Sequence, residues 1–194
     1  MITRILLIRH GDSSPMVSVD RERGLTEQGH ETVRRMTEEL RDVSIDAVVS
    51  SPYVRALMTV QGIADERGLS VATFEDLRER QLYGSDALLP SDAFYHAVRR
   101  SFDDHDVVLE GGESFREAQL RAVPVIRDMV SVYRGRTVAV GTHGNIMTMI
   151  LHAFDERFGW EFWRQLTMPD VYAMTFEGDE LQGVERLWSP SIGR

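Results

Sequence analysis

The sequence predicts an α/β fold, a three-layer α/β/α sandwich with a mainly parallel central sheet and a small helical cap insertion. Three observations carry this expectation. Short apolar runs such as Ile5-Leu6-Leu7-Ile8 and Val138-Ala139-Val140 read as strands buried on both faces. They alternate with segments of helical periodicity. Two of them end alike, in Arg9-His10-Gly11 and Thr142-His143-Gly144. Open α/β sheets bind ligands beyond the carboxyl ends of their strands, so these two histidines are expected to face one pocket.

Residues 2–8 form the first strand, and Gly11 lets the backbone turn away after it. Thr26 caps a helix whose apolar positions Val33, Met36, Leu40 and Val43 fall three and four apart, with Glu27 in the favourable first turn. Residues 47–49 are a second strand running into Ser50-Ser51-Pro52. Ser51 suits an N-cap and Pro52 the first helical position, which sets Arg55 about one turn into the helix, on the side of the sheet that carries His10. Gly68 stops this helix, and residues 71–74 make a third strand leading into Leu77-Arg78-Glu79-Arg80.

Residues 82–109 are irregular and read as the inserted, partly helical cap, with Gly84, Pro90 and the acidic run Asp103-Asp104-His105-Asp106. Its Leu88, Leu89, Phe94 and Tyr95 either wall a substrate or pack the cap onto the sheet. Ser114 with Glu117 fits a capping box that opens a long helix, which Pro124 is expected to kink or divide. Residues 138–140 are a fourth strand, 145–154 a buried apolar helix, and 172–176 with 185–188 a hairpin about Gly178-Asp179. The chain reads as one domain, 1–194. Trp160, Phe162 and Trp163, if exposed, would mark an interface and hence a homodimer.

Composition narrows the chemistry. The chain has no cysteine, and all 22 of its basic residues are arginine. Thiol nucleophiles, disulfides, cysteine zinc sites, Schiff-base lysines and the lysine of a P-loop are thereby excluded. A covalent nucleophile has to be His, Ser, Thr, Asp, Glu or Tyr. A net charge of −9 without a dense basic stripe argues against a nucleic-acid partner, so an anionic ligand needs a local arginine cluster. The apolar stretch near the start is only four residues, too short for a signal core or a membrane span. No membrane partner and a cytoplasmic location are expected.

Arg9, Arg55 and a helix N-terminus around His10 and His143 make an anion cradle suited to phosphate. Two arginines beside His10 penalise its protonation and keep a ring nitrogen free to attack phosphorus, giving a phosphohistidine. The departing oxygen needs a proton, and Glu79, following the third strand, reaches the same edge of the sheet, where a bound dianion favours its protonated form. Taken singly, each residue has a plainer reading: His10 or His143 as a satisfied structural histidine, Arg55 as a solvated helix residue, Glu79 as a partner of Arg78 or Arg80. The joint pattern is what points to chemistry. His30, His96, His105 and His152 read as structural or surface residues. Glu113 either caps the helix at Ser114 or contacts the pocket, and the structural role is preferred.

Six blocks carry a resemblance: Ile8-Arg9-His10-Gly11, Leu25-Thr26-Glu27-Gln28-Gly29, Ser50-Ser51-Pro52-Tyr53-Val54-Arg55-Ala56, Leu77-Arg78-Glu79-Arg80 followed by Gly84, Gly112-Glu113-Ser114, and Thr142-His143-Gly144. In this order, over nearly the whole chain, they resemble the signature of the histidine phosphatase superfamily, also called phosphoglycerate mutase-like. A lone Arg-His-Gly is weak, whereas six ordered blocks are specific. The resemblance implies a three-layer fold with a helical cap, His10 as the phosphorylated nucleophile and Glu79 as the proton donor. It places Arg9, Arg55, His143 and Gly144 around the phosphate, with no metal or organic cofactor. Asp86 remains an alternative donor if the cap folds differently.

The chain departs from the mutase branch at two places. Met16 stands where that branch carries Asn, and Gly84 is followed by Ser85-Asp86-Ala87-Leu88 instead of Glu-Gly. Mutases are also expected to be markedly longer, with a tail that shields the phosphoenzyme. A phosphatase of small phosphomonoesters is the preferred reading and a phosphoglycerate-type mutase the alternative. A non-catalytic phosphoester-binding domain is a third, opposed by the presence of both nucleophile and acid. The run Asp104-His105-Asp106-Val107 superficially resembles the paired aspartates of haloacid-dehalogenase phosphatases, but it lacks the preceding apolar strand and the lysine that class needs.

Overall fold

A computed structural model describes residues 1–14, 19–84 and 90–191, so Met16, Asp86, Leu88 and Leu89 lie outside the described residues. The chain runs β1 (Ile2–Arg9), α1 (Glu27–Glu39), β2 (Ala47–Ser50), α2 (Val54–Arg67), β3 (Val71–Thr73), α3 (Ser91–Asp103), α4 (Phe115–Val132), β4 (Thr137–Thr142), α5 (Gly144–Phe154), α6 (Trp160–Gln165), β5 (Asp170–Glu177) and β6 (Glu180–Trp188). The sheet order is β3-β2-β4-β1-β5-β6, parallel from β3 to β1 and antiparallel beyond. No helix among the described residues is long and apolar enough to cross a membrane.

The unbroken apolar runs arise because the sheet is covered on both faces. Ile5 and Leu7 of β1 join Val138 and Val140 of β4 in a core against α4 and α5, with Phe115, Ala118, Ala122, Ile126, Ile146 and Ile150. Leu6, Ile8 and Ala139 face the other way, onto Val33 and Met36 of α1 and Val60 and Ile63 of α2. Each fully buried Leu or Ile contributes about 1.5–3 kcal/mol, so this alternation fixes which side of the sheet each strand residue takes.

Helix ends follow the sequence closely at some places and depart at others. Thr26 Oγ1 accepts from Gly29 N at 3.0 Å, and Ser114 and Glu117 form the reciprocal capping box. In contrast, α2 starts at Val54, not Pro52, because Ser51 still belongs to the sheet edge, its N–H donating to Gly141 O at 2.8 Å. Arg55 is consequently in the first turn. The helix α4 runs unbroken through Pro124, which is exposed, as is Leu120, whose carbonyl loses its intrahelical donor and can take water instead. Gly11 is needed for close approach: a Cβ there would meet Val33 Cγ2 at 2.7 Å.

The aromatic residues of α6, Trp160, Phe162 and Trp163, are half-buried, so they do not form the exposed patch on which an interface was conditional. They receive α3. Tyr95 meets Trp160 and Trp163 edge-on at centroid distances of 4.8 and 5.6 Å, and Arg99 lies over Trp160 at 5.2 Å, while Phe162 packs on Tyr172.

Candidate active site

Register brings the two histidines together. Arg9 pairs with Thr142 at the parallel ends of β1 and β4, so the next residue on each strand, His10 and His143, emerges side by side. His10 N donates to Thr142 O at 3.0 Å, and the two rings lie 5.2 Å apart edge-to-face. The neighbouring strand β2 delivers Ser51, whose Oγ is 2.8 Å from His143 Nε2.

The tautomer of His10 follows from its partners. A carbonyl can only accept, so the 2.7 Å contact between His10 Nδ1 and Gly11 O puts the proton on Nδ1. Nε2 then carries the lone pair, and Arg55 Nε donates to it at 3.2 Å. His10 and His143 are both buried. Burial first, then Arg55 and Arg9, hold His10 well below the usual histidine range. His143 is held down by burial, Arg55, His10 and Arg9. Both rings are neutral at neutral pH, and desolvation, which the sequence reading did not weigh, outranks the arginines as the cause.

Arg9 sits beneath the start of α5. Its Nη1 donates to the carbonyls of Leu166 and Thr167 at 3.0 and 3.3 Å, and a Cβ on Gly144 would come within 3.1 Å of Arg9 Cζ. A side chain at 144 would therefore push this guanidinium.

Glu79 is bound at the same helix start. Its Oε1 accepts from Arg80 N at 2.8 Å and Ile146 N at 3.0 Å, and its Oε2 from Asn145 N at 3.2 Å. The first turn of α5 thus links Gly144, above Arg9, to Glu79. The loop that carries Glu79 is tied from behind by Glu113 and Arg121. Arg121 Nε and Nη2 reach the two Glu113 oxygens at 2.6 and 2.8 Å, while Nη1 donates to the carbonyls of Asp76 and Arg78. Burial raises the Glu113 carboxyl, but Arg121 and Arg78 outweigh it and leave the group below the usual range. Arg80, buried and drawn down to about 10 by desolvation, donates to Glu113 O at 2.8 Å and to Ser101 Oγ of α3 at 2.6 Å. Glu113 therefore holds this loop from behind; the cap on α4 belongs to Ser114.

Arg9, His10, Arg55, Glu79, His143 and Gly144 lie in this one region, the alternative donor Asp86 falls outside the described residues, and several others join that the sequence did not single out. Asp20 accepts from both terminal nitrogens of Arg55 at 3.2 and 3.1 Å. Tyr53 lies between Arg55 and His143, its ring 5.0 Å from Arg55 Cζ and 5.1 Å from the His143 centroid. Thr59 Oγ1 accepts from Gly11 N at 3.0 Å. Ser51, read as a helix cap, accepts from Tyr53 N at 3.3 Å just ahead of α2 and also meets His143. The paired aspartates Asp104 and Asp106 follow α3 and no strand, which removes the haloacid-dehalogenase reading. His30 and His96 are exposed, and His105 stacks on Phe115 at 4.1 Å with His152 edge-on at 5.0 Å, away from the strand ends.

Comparison with known proteins adds kinship. A 2,3-bisphosphoglycerate-dependent phosphoglycerate mutase of Brucella anthropi is 33% identical over 173 residues, which cover 80% of this chain and 82% of its own. Those near-equal shares make the two chains similar in length, so the expected length difference does not hold for this relative. Among solved structures, Bacillus stearothermophilus YhfR matches 93% of this chain and 94% of its own with a TM-score of 0.76 at 25% identity. A mycobacterial glucosyl-3-phosphoglycerate phosphatase shares the fold, with a TM-score of 0.75 at 19% identity over 96% of this chain and 97% of its own. The model of the histidine phosphatase superfamily (branch 1) matches residues 5–188, and the chain belongs to that superfamily.

Proposed function

We propose that the protein is a phosphatase that hydrolyses small phosphomonoesters through a phosphohistidine on His10. The observation that carries this reading is the His10 tautomer: Nδ1–H is tied to Gly11 O, so the lone pair of Nε2 points at a guanidinium able to hold phosphoryl oxygens. In the first step Nε2 attacks phosphorus, the bond from phosphorus to the ester oxygen breaks, and Glu79 protonates the leaving alkoxide. In the second step water attacks phosphorus, the Glu79 carboxylate takes its proton, and the P–N bond breaks to return neutral His10 and inorganic phosphate. Arg9, Arg55, His143 and the backbone at Gly144 hold the phosphoryl oxygens as charge shifts onto them. Every proton and electron pair in these steps comes from the chain, the ester or water.

A phosphoglycerate-type mutase is the second reading, favoured by the name of the Brucella relative. Three observations support hydrolysis instead. Met16 and Ser85-Asp86 depart from the mutase pattern. A second phosphate and a carboxylate need further cations, yet Arg21 pairs with Glu75, Arg23 with Asp20, and Arg78 and Arg121 with Glu113. Residues 15–18 and 85–89 contain no basic residue.

The test is to supply p-nitrophenyl phosphate, a panel of small phosphomonoesters and 3-phosphoglycerate with 2,3-bisphosphoglycerate, and to measure both inorganic phosphate and phosphoglycerate isomers. Release of phosphate, abolished in His10→Ala, is the expected result. Isomerisation without release establishes the mutase, and binding with neither makes the domain non-catalytic.

A further inference from the structure

Arg55 is the cation nearest the reacting nitrogen of His10, and its side chain has only 4% of its surface exposed. A guanidinium has two forks, one at its end, formed by Nη1 and Nη2, and one along its side, formed by Nε and Nη2. Here the end fork is taken. Nη1 and Nη2 donate to Asp20 Oδ1 and Oδ2 at 3.2 and 3.1 Å, and Nη1 also donates to Asp20 O at 2.7 Å. The side fork faces His10, with Nε 3.2 Å from Nε2. One face of the group is covered by the Tyr53 ring.

Asp20 is itself anchored. Arg23 Nη1 donates to Asp20 Oδ1 at 2.9 Å, while Arg23 Nη2 and Nε hold Ser13 Oγ and Ser14 O at 2.9 and 3.1 Å. The segment after β1 is thereby tied through Arg23 and Asp20 to the guanidinium.

We propose that Asp20 is the positioning residue of the phosphate-holding arginine: it grips the end fork of Arg55 and turns the side fork onto His10 Nε2. Phosphoryl oxygens crossing to His10 then meet two N–H groups whose direction is already set, which matters most when the phosphorus is five-coordinate. The inference rests on the phosphohistidine reading and adds the group that orients its arginine.

The test compares Asp20→Asn, which keeps the size of the side chain and removes one acceptor and the charge, with the parent enzyme. The readouts are kcat on p-nitrophenyl phosphate and the dissociation constants of vanadate and inorganic phosphate. Vanadate on His10 resembles the five-coordinate state, and phosphate resembles the ground state. In Asp20→Asn, kcat is expected to fall about 10–100-fold, and vanadate to weaken by a similar factor. Phosphate should shift by less than about 3-fold, because losing a negative neighbour offsets the lost orientation.

A kcat within about 3-fold of the parent, or equal weakening of both anions, overturns the proposal. Dissociation constants are read on the folded fraction, so their ratio remains informative if the variant is unstable. Arg23→Gln frees Asp20 from this anchor and should give a smaller loss with the same bias against vanadate, and a loss that falls equally on vanadate and phosphate counts against orientation by Asp20. If Arg55→Ala and His10→Ala keep full activity, the phosphohistidine reading itself fails. If they lose it while Asp20→Asn does not, only the role of Asp20 is lost.

Discussion

Glu79→Gln separates the chemistry of the acid from its contribution to the fold. The carboxylate accepts from Arg80 N and Ile146 N on Oε1 and from Asn145 N on Oε2. A glutamine whose carbonyl takes the Oε1 place keeps the two shorter bonds and sets its NH2 against Asn145 N–H. One 3.2 Å bond is lost and two donors face each other. At this half-buried position the cost is about 1–2 kcal/mol, or roughly 2–8 °C in Tm for a chain of this size. The same comparison identifies Oε2, the oxygen with a single long bond, as the one that carries the proton at least expense to the loop. Catalytic loss should depend on the leaving group. An alkyl phosphate needs its oxygen protonated, so kcat/KM should fall about 10²–10⁴-fold. The p-nitrophenolate group departs unprotonated, so that substrate should fall by less than about 10-fold. Steady-state kinetics on β-glycerophosphate and p-nitrophenyl phosphate, with Tm by calorimetry, measure all three quantities. Equal losses on the two substrates would refute the assignment of Glu79 as donor.

Gly144→Ala places a Cβ 3.1 Å from Arg9 Cζ, against a guanidinium already held at Leu166 O, so kcat/KM should drop about 10-fold while Tm holds or rises, since alanine favours a helix by about 0.5–1 kcal/mol; a fully active variant sinks this. Stability should depend on pH because His10 and His143 are depressed in the fold and ordinary when unfolded. The unfolded chain then binds more protons below about pH 6.5, so their contribution is complete above that value and declines as pH falls, by about 1.4 kcal/mol per histidine at pH 5.5. Urea unfolding of the parent and of His10→Ala from pH 7.5 to 5 checks the sign, and a pH-independent difference between them contradicts it. Glu113→Gln weakens a bidentate, largely buried pair and should cost about 2–4 kcal/mol, with alkyl phosphates losing more activity than p-nitrophenyl phosphate because the loop of Glu79 loosens.

Those parts of the fold that depend on local pattern were legible in the sequence. The apolar runs marked strands because both faces of the sheet are covered, and Thr26 and Ser114 marked helix starts because their side chains satisfy backbone donors nearby. The pairing of His10 with His143 was legible from repetition of one strand-end motif, although the parallel register that makes them neighbours is a long-range property. What stayed hidden depends on contacts between distant segments. Asp20 opens a single 3-10 turn, Asp20–Glu22, that no sequence pattern marks, and its partner is 35 residues away. Ser51 looked like a cap because Ser-Pro favours helix starts, and its Oγ does take Tyr53 N, but its own N–H continues the pairing of β2 to Gly141 O, which delays the helix to Val54 and sets Ser51 beside His143. No sequence pattern shows that α3 packs on the aromatics of α6, so their half-burial was not legible.

The charge around His10 explains why an acid is part of this arrangement and not only a base. Arg9, Arg55 and Arg23 bring three positive charges, and Asp20 and an ionised Glu79 take two away. Asp170 and Arg186 cancel each other across a 2.6 Å pair, and the two histidines are neutral. The resting cluster is then a single positive charge short of matching a phosphomonoester dianion. In the proposed mechanism the proton that Glu79 delivers to the leaving oxygen makes up that difference. As the alcohol leaves with that proton in the proposed mechanism, the positive charge lost from Glu79 reappears on the imidazolium of phosphorylated His10. His10, kept unprotonated by burial and its two arginines, stays available as nucleophile throughout.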